Sequence, residues 1–184
     1  MKQAFIGSAV AMAVLVLALA GCNSGTTTPP DPAKIATAIK VGTGAVVAVG
    51  FVAIPDQAEA DQIATLAAKV LDENILPLLN GDEAALINGL ESLLEMKAFD
   101  DPKLEKAKLV LEAGLPILEA YLPPDLLDGQ VSKIPPDVKA YLIAFFEGAR
   151  DGIGNYLGNK SIRKGLTKKG FLDYHDLRMK LGKK

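Results

Sequence analysis

The feature that most constrains this chain is the recurrence of apolar residues three and four apart, in blocks cut by proline and glycine. Between residues 56 and 79, Ile63, Leu66, Ala67, Val70, Leu71, Ile75 and Leu78 fall on one helical face. Asp56 and Glu59 stand in capping-box spacing at its start, directly after Pro55. Asn80-Gly81 supplies a stop, Asp82 can cap the next start, and Leu86, Leu90, Leu93 and Leu94 carry a further helix as far as Lys97. Asp101-Pro102 opens another, striped by Leu104, Ala107, Leu111, Leu115, Leu118 and Leu122. Pro116 should bend it and Pro123-Pro124 should end it. After Asp128-Gly129, Pro135-Pro136-Asp137 begins a last long helix with Val138, Tyr141, Leu142, Phe145, Ala149 and Tyr156 turned inward, its signal good to Gly152.

Residues 34–54, rich in Ala, Gly and Val, precede these blocks. Only residues 46–54 (VVAVGFVAI) have the β-branched density of a strand. Ala38, Gly42, Val46 and Gly50 lie four apart, a stripe that lets another backbone approach closely. Core packing accounts for that stripe, with a membrane-inserted or oligomerising helix as the alternative. The expected fold is all-α, a small bundle of about five helices. With 5% aromatic residues and no Trp, its core is expected to be built from Leu, Ile, Val and Ala. One internal similarity stands out: AKVLDENILPLL from Ala68 aligns with AKLVLEAGLPIL from Ala107, which fits either a duplicated bent hairpin or chance in a Leu- and Ala-rich chain.

Few chemistries suit this composition. His175 is the sole histidine and Cys22 the sole cysteine, so a zinc site of imidazole and thiolate has no ligands to use, and no metal site is expected. Val41 to Gly50 reads VGTGAVVAVG, but its third glycine is misplaced for a dinucleotide loop. A serine hydrolase would have to rely on His175 without a G-x-S-x-G elbow. Twenty acids in residues 23–157 are expected to form a solvated face, so no catalytic residues, no enzyme activity and no cofactor are expected.

Targeting carries more information. Lys2 is followed by an apolar run from Ala9 to Ala20 and then by Leu19-Ala20-Gly21-Cys22. This resembles the bacterial lipobox. The resemblance implies cleavage by the lipoprotein signal peptidase after residue 21, with diacylglyceryl and N-acyl lipid on Cys22. A transmembrane anchor is disfavoured because residues 5–20 number sixteen, whereas a span needs about 20. By resemblance to enterobacterial lipoproteins, in which Asp after the cysteine favours inner-membrane retention, Asn23 implies the outer membrane facing the periplasm, where the host has one. The expected organisation is a signal peptide over 1–21, a lipidated Cys22 with a Pro-rich spacer over 22–32, a helical domain over 33–157 and a basic segment over 158–184.

That last segment carries Lys160, Arg163, Lys164, Lys168, Lys169, Arg178, Lys180, Lys183 and Lys184 against only Asp173 and Asp176. Three readings stand: a solvated tail docked on the acidic body through Phe171, Tyr174, Leu177 and Leu181, a polyanion-binding segment for anionic lipid or cell-wall polymer, or a peptidoglycan attachment. The third comes from resemblance to the major murein lipoprotein, which is joined to peptidoglycan through its terminal lysine, here Lys184. Nucleic acid is not an expected partner outside the cytoplasm. The expected function is a non-enzymatic binding or scaffolding lipoprotein of the cell envelope whose protein partner is unknown. A wall or membrane tether through the basic end is one alternative. Resemblance to small helical lipoproteins of phages and plasmids adds another, an exclusion factor.

Overall fold

In a computed structural model, residues 31–127 and 133–158 are described, and every regular element among them is helical. Helix α1 (Pro32–Val52) starts where the sequence dictates. The Asp31 side chain accepts from the Ala33 N–H at 3.0 Å, and Pro32 takes the first helical position, where its missing N–H is no loss. The strand-like residues 46–54 are therefore mostly helix. Their apolar, β-branched run serves a helix buried from two sides as well as it serves a strand.

At the corner after α1, two neighbouring residues close two helix ends. The Gln57 side-chain amide donates to the Ile54 carbonyl at 2.7 Å, and Asp56 accepts from the Ala58 and Glu59 N–H groups to cap α2 (Gln57–Val70). Glu59 pairs with Lys106 further along the chain, so Asp56 is the member of the expected capping box seen acting as a cap. A π-helical turn (Leu71–Ile75) then precedes α3 (Leu76–Leu79). It falls just before Pro77, which can neither donate nor tolerate the carbonyl four residues back, and the wider turn accommodates both restrictions.

Helix α4 (Glu83–Leu94) is closed by Glu95, and the next residue, Met96, has a left-handed φ of 54°. Glycine is the usual residue there, but the Met96 side chain is buried, and its burial outweighs the cost of the backbone. Short 3₁₀ turns (Lys97–Phe99 and Pro102–Leu104) lead to α5 (Glu105–Glu112) and α6 (Leu115–Glu119). The single bent helix expected around Pro116 is thus two helices broken at Ala113 and Gly114, with the proline in the first turn of the second. The two similar segments, residues 68–79 and 107–118, both run as helix, interruption, then a short helix opening Leu-Pro. Helices α7 (Pro124–Leu127) and α8 (Pro136–Gly158) complete the order, and α8 runs past Gly152 by almost two turns.

The most extensive packing joins α1 to α8. Lys40 lies beside Glu147 and Asp151, Gly44 beside Gly148 and Gly152, and Phe51 beside Tyr156, so the two helices run parallel. Around them the core takes Leu71, Ile75, Leu79, Leu86, Leu111 and Leu118. It differs from expectation in its rings, because Phe51, Phe99, Phe145 and Phe146 are all fully buried at its centre. Leu66, expected inside, is 42% exposed. The inward face of α2 is centred on Ala60, Ala64 and Ala67, which let that helix pack closely and push Leu66 to the rim.

One buried polar group opposes this packing. Thr43, on α1, is fully buried, and its Oγ1 has no hydrogen-bond partner among the described residues. Thr43→Val keeps the shape and removes the unpaired hydroxyl, so it should stabilise the domain by about 1 kcal/mol. A rise in the urea midpoint with an unchanged slope would show it, and a fall would mean that the hydroxyl is satisfied in solution.

Candidate functional site

Lipobox residues Leu19, Ala20 and Gly21, the lipidation candidate Cys22, His175 and all nine basic residues from Lys160 to Lys184 lie outside the described residues. The structure does define the ends to which those segments join. Asp31 is nine residues past Cys22 and caps α1, while the basic segment follows Gly158, the last residue of α8. Because α1 and α8 are parallel, Gly158 lies at the end of the pair away from Pro32. A helix of the length of α1 separates these ends by about 30 Å.

Among the described residues, several charged groups tie elements together. Lys40 Nζ donates to Glu147 at 2.8 Å and lies 3.3 Å from Asp151. The Glu147 hydrogen bond raises the Lys40 pKa, partly offset by desolvation. Arg150 Nε donates to Asp72 at 3.1 Å, fastening α8 to the π turn, and this bond raises the arginine pKa further. The Tyr156 hydroxyl donates to Asp61 at 2.9 Å, joining α8 to α2. Burial is the main cause that raises the Tyr141 pKa. For Lys40, Arg150 and Tyr141 the shift is upward, so each keeps its proton at neutral pH.

Two open grooves mark the surface. One, of about 300 Å³, runs between α2 and the 3₁₀ turn at residues 102–104, where Lys69, Glu73, Asp101 and Lys103 mix both signs of charge around Leu66 and Leu104. The other, of about 280 Å³, lies between α1 and the start of α8 and is lined by Ala36, Thr37, Ile143 and Ala144 beside the Lys40–Glu147 pair. Among the described residues no group of three or more His, Cys, Asp or Glu side chains is placed to hold a metal ion.

Helix α1 itself is the most distinctive surface. It is long and apolar enough to cross a membrane, by length and composition alone. Two sides of it are packed. Two members of the small-residue stripe noted in the sequence are met by α5 and α6, with Val110 against Gly50 and Ile117 against Gly42. The closest backbone approach falls elsewhere, at Gly44 against Gly148 and Gly152. Sequence reasoning passed over that contact, although Gly148 and Gly152 stand four apart on α8. The remaining side of α1 faces water, with Val41 63% and Val49 43% exposed. Its signal was also present, since the sequence is uncharged from Val41 to Pro55, more than a helix packed on one face requires. No protein-family model, curated protein or solved structure matches this chain.

Proposed function

We propose that the protein is a lipid-anchored lipoprotein of the bacterial cell envelope, probed by its partners through a non-enzymatic helical domain that binds or scaffolds another envelope component. The observation that carries this reading is the join between targeting signal and fold. The lipobox resemblance ends at Cys22, a polar Pro-rich stretch follows, and α1 is capped at Asp31, with the core among the described residues running from Ile35 to Leu157. Such a layout suits a domain held at a membrane by lipid, with two or three acyl chains giving firm attachment.

The test is expression of the full chain in a bacterial host, with wild type and Cys22→Ala compared by membrane fractionation and intact mass. Wild type should begin at Cys22 with added lipid mass and sediment with membranes. Cys22→Ala should retain residues 1–21. If wild type also retains them without lipid, the lipoprotein reading is wrong.

A tether reading competes, and the parallel α1–α8 pair favours it. The basic segment would leave the domain about 30 Å along α1 from its anchored end, able to reach a second polyanion such as cell-wall polymer. Deleting residues 158–184 separates the two. Loss of cell-wall or vesicle association by the delipidated truncated protein supports the tether, and retention supports the domain.

A further inference from the structure

The side chains of α1 divide into three sectors at 100° per residue. One meets α5 and α6, and a second meets α8. The third comprises Ala38, Val41, Ala45, Ala48, Val49 and Val52, all exposed or half-buried. An outward helix face is ordinarily polar, whereas this one carries no charge between Lys40 and Asp56.

Three observations select the occupant. First, the nine residues from Cys22 to Asp31 can extend no further than about 30 Å, so a lipid on Cys22 holds α1 within reach of the bilayer and raises the local concentration of its face there. Second, the stripe is about 21 Å long and one helix face wide. Its footprint of roughly 200 Å² falls well short of the about 800 Å² per partner of a stable protein interface, whereas a lipid surface requires no matching partner. Third, a positive charge stands beside this face of α1. Lys34 is exposed near its start, and Gly158, after which the sequence turns basic, lies toward its other end.

We propose that α1 lies flat on the membrane, with Val41, Ala45, Val49 and Val52 seated at the headgroup–acyl boundary of anionic lipid. The inference rests on the lipid-anchor reading of Cys22. It adds that α1, together with the anchor, fixes which side of the domain faces the membrane and which side faces a partner.

The chain contains no tryptophan, so a single introduced one is an unambiguous reporter. Val41→Trp, Val49→Trp and, as a control on exposed Asn88 of α4, Asn88→Trp are prepared as the full lipidated protein in phosphatidylglycerol vesicles with and without brominated acyl chains. The first two should lose about half their emission to bromine, as rings at the boundary do, and Asn88→Trp should lose little. Adding Ala45→Glu to the Val49→Trp variant should restore aqueous emission with unchanged helical circular dichroism. If the protein floats with the vesicles but Val41→Trp and Val49→Trp are not quenched, the flat orientation is overturned and the anchor stands. Blue-shifted emission without quenching would put a second copy on the face and overturn the lipid occupant. In parallel, mature chains beginning at Cys22 are coupled through that thiol to maleimide phospholipid in the same vesicles. Should the cellular protein prove unlipidated, the anchor reading fails, and quenching in the coupled form still supports or overturns the affinity of α1 for lipid.

Discussion

Gly148→Ala or Gly152→Ala should each destabilise the domain by about 2–3 kcal/mol, and the two together should abolish most of its cooperative unfolding transition. A Cβ on Gly148 would fall inside van der Waals contact with the Lys40 carbonyl oxygen and 2.9 Å from Lys40 Cα. A Cβ on Gly152 would collide with the Gly44 carbonyl oxygen and stand 3.0 Å from Gly44 Cα. The obstructing atoms are backbone, so no rotamer change relieves them and α1 must shift as a unit. Alanine raises helix propensity by about 1 kcal/mol over glycine, which offsets only part of that cost. Gly154 on the same helix supplies the control, since nothing lies within 4 Å of an added Cβ. Gly154→Ala should therefore stabilise by about 1 kcal/mol. Urea unfolding followed by circular dichroism reads all four proteins. If Gly148→Ala and Gly152→Ala behaved like Gly154→Ala, the close approach of α1 and α8 would be wrong.

Phe145→Ala should cost about 3–5 kcal/mol. Its ring is fully buried, meets Phe146 edge-on at 5.0 Å between centroids, and would lie 3.4 Å from a Cβ added to Gly114 at the break between α5 and α6. Removing it opens a cavity where α8, α1 and that break converge, and backbone packing as tight as the glycine contacts cannot collapse into the space. Phe145→Leu retains most of the volume and should lose roughly 1.5 kcal/mol. Thermal unfolding of the two variants should show that order. Equal losses would mean that the site relaxes freely around either side chain.

How far the sequence could be read depended on what each signal measures. Apolar periodicity gave the class of the fold and the inward residues of α8, from Val138 to Tyr156, because burial on one face imposes that spacing directly. It misplaced Leu66, because spacing records size and hydrophobicity, whereas the alanines at 60, 64 and 67 decide which face comes closest to its neighbours. Residues 46–54 looked strand-like because a helix buried on two sides loses the polar positions that reveal its period. Proline marked the interruptions at 77 and 116, but the response to each, a π turn in one case and a full break in the other, depends on neighbours that only tertiary packing supplies. For the candidate surface, the absence of charge from Val41 to Pro55 was legible, while the outward sector emerged only once Gly42, Gly44 and Gly50 had been matched to their partners.

The pairing of the first and last long helices also sets the order in which this chain can mature. About a hundred residues separate Gly44 from Gly148, so the central contact has a high sequence separation and forms late. During synthesis from the amino terminus, α1 emerges as an apolar helix whose matching glycines have yet to appear. Until residue 152 is available, the Gly44 side of α1 lacks the α8 backbone that covers it in the folded domain, and the nascent chain exposes an apolar helix face. Nonsense or frameshift changes ahead of α8 should therefore yield aggregation and proteolysis rather than a shortened functional domain.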